Sequence, residues 1–598
     1  MLDPNKRSLL TSLLTPPLGL VFDKGLAMTY SLNPLSLLGV PVHLAWMASQ
    51  DDTNILREPI RLLEALHRVA KHLTVFTDRG RITVPGQSNA LFAMLESTIV
   101  EVKAPNGGAF HPKLWLLRFT DPKNERVPLV RLGILSRNLT SDCCWDLSLV
   151  LEGAVQRTAQ AENRPLYDLV KTLPEWSASS IKASRKKQVA ELANDLLCAK
   201  LELPSGWDEV RFHVLGRKPV PWSVGQADEI AIISPFLTDA AIEQTCKEVK
   251  ERCTLISRPD TLSALSPQTR ASFSKCQVLA ERAETEDGEE GASPDTVGLH
   301  AKVVLLRRAW RSHLFVGSAN VTSAAMIAGR NIEVMAELIG KHSNVGKISD
   351  LLSTGGFGNV LTDFKDADVI KPEDAAVKAV RDELETLHQA IADVNLKAEC
   401  VAGTEGLWQV RLSSTTAINT GDSQVSAWLL SQHLERAVNA TPLMQREPLL
   451  LAPVASADVT GLVGFALFLE GQTLYFALNL PLKAPEDRDA AILRRFVQNR
   501  EGFVRYLKLL LGGLEQNFKS GPSDETGMGL PWKKGLDDST ALLEDLVRLW
   551  SREPSRLDEV ARVVECLRGA TCREGDVVPP EFDSLWRVFE AARVRKGR

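Results

Sequence analysis

Two stretches of the chain carry the same order of chemically useful residues. The first is His111-Pro-Lys113, an apolar run, and then Ser136-Arg-Asn138-Leu-Thr140. The second is His300-Ala-Lys302, an apolar run, and then Ser318-Ala-Asn320-Val-Thr322. His and Asn are 27 residues apart in the first and 20 in the second, a difference that a hairpin loop absorbs. A lone His-x-Lys triplet says little. The same triplet twice, each before two hydrophobic strands and a Ser-x-Asn-[Leu/Val]-Thr, points to a duplicated unit. Residues i and i+2 of a strand share a face, so each His projects beside its Lys. The Ser-x-Asn element is expected where a strand gives way to a helix, whose free N–H groups favour an anion. Each copy then offers an imidazole, an ammonium, an amide and a hydroxyl. Two copies face to face would surround one phosphate. Lysines would neutralise its oxygens, one histidine would attack phosphorus, and the other would protonate the leaving oxygen. This chemistry calls for no metal and no other cofactor.

The duplicated motif resembles that of the phospholipase D superfamily. The usual pattern has an Asp five residues after the Lys, where this chain has Arg118 and Arg307. Loss of that Asp in both halves is similar to the tyrosyl-DNA phosphodiesterase and nuclease branch. The resemblance covers roughly residues 30 to 340 and none is found for 345–598. It implies a two-lobed, pseudo-twofold α/β fold with the site at the seam. It further implies His111 as the nucleophile that forms a phosphohistidine and His300 as the general acid. Lys113, Lys302, Asn138 and Asn320 would hold the phosphate, with Ser136 and Ser318 in support. A downstream carboxylate would orient each imidazole. Glu333, on an expected helix, and Asp146, after Trp145, fill that place. Leu135 replaces the usual Gly before Ser136, and Arg137 is bulky, so the first half is expected to be the more divergent.

The elements that must position these residues alternate between strand and helix, which makes the class α/β. Val42 to Trp46 reads as a strand, Leu56 to Leu73 as a helix, and Ile82 to Val84 as a strand. Ala154 to Ala199 reads as mostly helical, with a basic cluster at Lys182, Arg185, Lys186 and Lys187 taken as a solvated face. Glu229 to Ser234 reads as a strand and Asp239 to Glu251 as a helix. Residues 281–295 hold five Glu and two Asp and read as a solvated loop. Beyond 345 come a helix at Pro372–Ala398, strand candidates between 400 and 480, and helices from 487 on. Four regions follow: 1–205 and 206–345 as two phospholipase D-like halves, 346–485 as a mixed α/β accessory region, and 486–598 as a helical domain.

Composition narrows the function classes. The 598 residues are 44% hydrophobic and 24% charged with a net charge of −5, so any nucleic-acid surface must be local. Nine cysteines without a Cys-x-x-Cys argue against zinc ribbons and disulfide frameworks. No signal segment and no membrane-spanning run is read, and the expected location is the cytoplasm without membrane contact. Arg307, Arg308 and Arg311, interleaved with Trp310, suit a strand-binding rim for nucleic acid. The first expectation is a phosphodiesterase acting on DNA, in a DNA-processing or anti-phage defence assembly. The helices Arg494 to Leu511 and Ala541 to Trp550 would dock a helicase or another subunit. The alternative is a phospholipase D-like subunit that binds DNA or a partner without cleaving it, and a third reading is a phospholipase.

Overall fold

Apolar runs of three to nine residues build two mixed sheets. The structure is a computed structural model. It describes residues 10–596 except 46–58, 219, 281–296, 354–355, 366–373, 512–541, 544–545, 548–549, 551–556 and 573–574. The first sheet uses β1 (Val21–Thr29), β2 (Leu73–Asp78), β3 (Ile99–Val102), β4 (Leu114–Thr120) and β5 (Leu129–Leu135). After a short strand β6 (Cys143–Trp145), it adds β7 (Ser148–Val155) and β8 (Ala199–Leu201). Its order is β3-β2-β1-β4-β5-β7-β8. The second sheet starts with β9 (Glu209–Leu215), β10 (Ala227–Ile233), β11 (Val249–Ile256) and β12 (Lys275–Leu279). After the short β13 (Val297–Leu299), it adds β14 (Val303–Arg308), β15 (Arg311–Gly317), β16 (Glu333–Lys341) and β17 (Leu361–Asp363). Its order is β17-β12-β11-β10-β14-β15-β16-β9. In both, a parallel trio (β1–β3, β10–β12) is followed by an antiparallel trio (β4, β5, β7 and β14–β16). The motif repeat is thus a repeat of topology. The second sheet takes in Leu361–Asp363, past residue 345.

Alternate side chains place each sheet between two cores. Leu26, Met28, Leu114 and Leu116 of the first sheet share one core with Ala231, Ile233, Val303 and Leu305 of the second. Ala27, Trp115, Leu117 and Phe119 face outward, as do Ile230, Ile232, Val304 and Leu306 in their own lobe. Each fully buried aliphatic side chain contributes about 1.5–3 kcal/mol relative to exposure, so the shared core holds the lobes together. At the seam β6 pairs in parallel with β13, and Phe110 bridges Ile332.

The helix Ala375–Asp393, capped by Asp374, packs on a four-stranded sheet of β20 (Gln424–Leu429), β21 (Val438–Asn439), β23 (Leu462–Leu469) and β24 (Gln472–Asn479). Between them in the chain, β18 (Lys397–Ala402), β19 (Trp408–Ser413) and β22 (Leu449–Leu450) form a three-stranded sheet. Ala477 donates to Ile82 O at 2.8 Å, joining this region to the first lobe. The later helices are Arg488–Phe496, Arg500–Leu511, Leu557–Leu567 and Pro580–Lys596, and the short strands Thr571–Cys572 and Gly575–Asp576 pair antiparallel.

Several expectations are corrected. Val42 to Ala45 belongs to a helix, Pro34–Ala45, apolar on every face and so lacking the period that marks a surface helix. Its start was legible: Asn33 Oδ1 accepts from Leu35 N and Ser36 N, with Pro34 in the first turn. Ile82 forms only isolated bridges. The helix after Asp239 stops at Cys246, because Val249 onward pairs in the sheet. Arg185 is buried, not solvated, and donates to the carbonyls of Leu73, Ala70 and Ser97. The leucine face of Arg500–Leu511 packs on the first lobe's helix Pro59–Val69, and Tyr506 OH meets His67 Nδ1 at 2.7 Å. That leucine face is therefore buried within the chain. Residues 281–295 lie outside the described residues, as does part of 541–550.

Gly317 has a steric reason that its counterpart Leu135 lacks. A Cβ there would lie 2.1 Å from Val334 O and 2.8 Å from Met335 Cα, both fixed backbone of β16. Gly317→Ala is expected to destabilise the chain by about 1–3 kcal/mol. A lowered midpoint in urea, beside an unchanged Gly86→Ala control with nothing near its Cβ, is the expected result.

Candidate active site

The two halves build their sites with the same bonds. Ser136 N donates to Leu147 O at 2.9 Å, and Ser318 N to Val334 O at 2.9 Å. Leu147 N donates to Ser136 Oγ at 2.8 Å and Val334 N to Ser318 Oγ at 3.0 Å. Each hydroxyl then donates to a carboxylate: Ser136 to Asp146 at 2.9 Å, Ser318 to Glu333 at 2.5 Å. The first half is thus no looser here, despite Leu135 and Arg137. Asp146 follows β6, and Glu333 opens β16 rather than lying on a helix. No helix follows Asn138, whose neighbour Leu139 bridges Leu32, and only a single π turn, Ser323–Ile327, follows Asn320. The expected anion site at a helix start is therefore replaced by side chains.

The carboxylates serve the opposite halves. Glu333 accepts from His111 Nδ1 at 2.9 Å, and Asp146 from His300 Nδ1 at 3.0 Å. The seam explains the exchange. His111 N donates to Ile332 O at 3.0 Å, while His300 N and Ala301 N both reach Trp145 O at 2.9 Å. Each histidine is thus carried one residue away from the other half's carboxylate. With Nδ1 engaged, Nε2 is the atom each imidazole has left for a ligand. The lysines are fully enclosed, Lys113 at 1% exposure and Lys302 at 0%. Each bonds back to its own histidine's carbonyl, at 3.0 and 2.6 Å.

Burial dominates the electrostatics. It pushes the His111 imidazole down to about 4, against the pull of Glu333. It also lowers His300 below its ordinary 6.5, with Lys302 adding to the fall and Asp146 opposing it. Lys113 is held well below its usual value and Lys302 falls to about 8, again by burial. Four groups that prefer a positive charge are thus held where charge is costly, and an arriving anion relieves that cost. The two asparagines support this. Asn138 Oδ1 and Asn320 Oδ1 are buried at matching places with no partner. Turning either amide by 180° puts its N–H2 there, a donor for a phosphate oxygen. Two imidazoles, two ammoniums and two amides are a donor set for a tetrahedral anion.

Solved structures that are similar include the phosphatidylserine synthase of Haemophilus influenzae Rd KW20, with 10% sequence identity and a TM-score of 0.32. The match covers 64% of this chain and 92% of that one. No family model and no curated protein matches. The chemistry of the site rests on its own residues.

The structure does not bring Arg307, Arg308 and Arg311 to the site. Val303 pairs with Ile233 at the Lys302 end of β14, and Arg307 pairs with Glu229 four residues away, about 13 Å along the strand. Arg307 binds Asp228 and Glu229, and Arg311 binds Glu209. Arg308 donates to the carbonyls of Gln226 and Val224. The pseudo-twofold explains Arg307: its counterpart Arg118 likewise binds Asp23 on β1, besides Asp195. The motif position that usually holds Asp is a structural arginine in both halves.

Other residues were missed. Thr29 Oγ1 accepts from Leu139 N at 3.0 Å, and Ser234 Oγ from Val321 N at 3.2 Å, so a hydroxyl fixes the backbone after each asparagine. Aligning Thr29-x-x-Leu32 with Ser234-x-x-Leu237 would have found them. Tyr30 lies 5.0 Å from the His111 ring and 5.8 Å from Lys113 Nζ. Burial drives its phenol up to about 12. Arg81 lies over the same ring and pairs with Glu385 of the helix Ala375–Asp393. The accessory region thus braces the wall behind His111. Asp78, raised to about 7 by burial, accepts from Phe110 N at 2.9 Å.

Among the described residues, no helix is long and apolar enough to cross a membrane.

Proposed function

We propose that this chain is a metal-independent phosphodiesterase that cleaves DNA through a covalent phosphohistidine on His111. The observation that carries the reading is the crossed pair His111–Glu333 and His300–Asp146 above two buried lysines. Glu333 accepts the hydrogen bond of His111 Nδ1–H, which holds that tautomer and leaves the Nε2 lone pair directed outward. The low pKa keeps that imidazole neutral at physiological pH. Lys113, Lys302, Asn138 and Asn320 hold the non-bridging oxygens as charge builds on them. The Nε2–phosphorus bond forms, the phosphorus–oxygen ester bond breaks, and the His300 proton goes to the departing oxygen. Neutral His300 then takes a proton from water. The hydroxide displaces His111, and both histidines return to their starting states. Nucleic acid as substrate is supported by the Asp-less motif, whose resemblance is to DNA-processing enzymes.

The test is cleavage of end-labelled single- and double-stranded DNA in excess EDTA, followed by quenching in alkaline detergent to trap the adduct. Expected is EDTA-resistant cleavage and one acid-labile, base-stable phosphate on His111. Cleavage abolished by EDTA, or hydrolysis of phosphatidylcholine vesicles with DNA untouched, contradicts the proposal.

The pH profile follows from the same groups. The rate constant kcat/KM reports the free protein. It should rise as His111 loses its proton through about 4. It should fall as His300 loses its own below 6.5. The maximum is therefore expected on the acid side of neutrality. The bound anion raises both imidazoles, so kcat should peak at higher pH than kcat/KM. An optimum of kcat/KM above pH 8 would contradict the assignment of acid and base.

A further inference from the structure

The catalytic edge of the second sheet carries an exposed aromatic ring that the phosphodiester chemistry does not use. Ile233, the last residue of β10, pairs with Val303, next to Lys302, and with Ile256, the last residue of β11. The chain continues from both strand ends at this edge. Phe236 lies three residues past the first, within about 10 Å along the strand direction, and Arg258 two residues past the second. Its backbone is fixed to the site: Ser234 Oγ donates to Phe236 O at 2.7 Å and accepts from Val321 N, and Leu237 bridges Val321, beside Asn320. Phe236 is nevertheless 43% exposed as a residue. The Arg258 guanidinium lies 5.8 Å from the Phe236 ring centroid, and its Nε makes a 3.5 Å contact with half-exposed Asp260. Charge from Arg258 and Arg137 also reaches Cys144, two residues before Asp146.

We infer that Phe236 and Arg258 form the substrate rim that stacks a base of single-stranded DNA beside the scissile phosphate, with Arg258 on the adjoining backbone phosphate. This deepens the phosphodiesterase reading and rests on it. An exposed ring next to a cation at the mouth of an anion site is the arrangement that holds single strands without reading their sequence. The two lobes also differ here. By the pseudo-twofold, Leu237 corresponds to Leu32, so Phe236 corresponds to Ser31, and the first lobe has no ring at this place. With His300 as acid, the leaving nucleotide departs beside the second lobe, the side that carries the ring. A lipid chain would need a continuous apolar surface. Beside Phe236 stands Arg258, itself paired with Asp260, and Thr238 and Asp239 follow in the chain.

The test uses the full-length chain in EDTA with three variants: Phe236→Ala, Phe236→Trp and Arg258→Ala. Binding of a fluorescent single-stranded oligonucleotide is read by anisotropy, and turnover is read with DNA and with bis(4-nitrophenyl) phosphate. Phe236→Ala is expected to weaken oligonucleotide binding about tenfold or more and raise KM for DNA, while Phe236→Trp restores both. The small ester has no adjoining backbone phosphate, so its kcat/KM in Arg258→Ala stays at the parent value. Arg258→Ala should lower the slope of log affinity against log salt by about one. Parent-like DNA binding in Phe236→Ala and Arg258→Ala overturns the rim. A parent that binds DNA through this rim yet hydrolyses neither substrate overturns the phosphodiesterase reading alone. Variants that lose binding to anionic vesicles but not to DNA would assign the surface to lipid and overturn the inference.

Discussion

His111→Ala is expected to lower EDTA-resistant DNA cleavage by at least about a thousandfold, because it removes the atom that bonds to phosphorus. The remaining lysines and asparagines still bind the anion, so KM should move little. His300→Ala should be as slow on DNA, whose alkoxide leaving group needs a proton. With a nitrophenyl ester the leaving group departs unprotonated, so His300→Ala should show a burst of nitrophenolate and then stall as the phosphohistidine accumulates. His111→Ala should show no burst with either substrate. The two variants thus separate nucleophile from acid even though their DNA rates look alike. A burst in His111→Ala but not in His300→Ala would exchange the roles. A loss of less than about tenfold in both would remove the two-histidine mechanism.

Glu333→Gln is expected to reduce kcat by about a hundred- to ten-thousandfold with KM nearly constant. Glu333 is 1% exposed and accepts from both His111 Nδ1 and Ser318 Oγ. Glutamine keeps the shape and lets the fold survive, but it offers His111 no charge and allows the wrong tautomer. Glu333 raises the His111 pKa, so its loss should shift the rising limb of kcat/KM to lower pH. A purely structural role would leave that limb in place. Asp146→Asn should cost less, about ten- to a hundredfold. Asp146 is more open, at 15% side-chain exposure, and orients the acid rather than the nucleophile. Glu333→Gln within a factor of about three of the parent would refute the assignment.

The bonding residues of the site were legible because they repeat. His111, Lys113, Ser136 and Asn138 match His300, Lys302, Ser318 and Asn320 in type and order, and folding kept the order. Asp146 and Glu333 were legible as carboxylates downstream of each motif. The strands that bury these residues were legible too, since their apolar runs are local. Pro34–Ala45 was read as strand, because a run apolar on every face carries no period, although its Asn-Pro start was there to read.

What the sequence determined by itself is the inventory of groups for phosphate chemistry, its duplication, and the α/β class of the lobes. Only the tertiary structure decided which carboxylate serves which histidine. The partners are 222 residues apart for His111–Glu333 and 154 for His300–Asp146. It also decided that Arg307 is a structural twin of Arg118, that the aromatic of the catalytic edge is Phe236, and that the region after residue 374 braces Tyr30. The physical reason is common to all four. Periodicity along a chain reports which face a residue occupies, whereas pairing across a seam depends on how two folded surfaces meet.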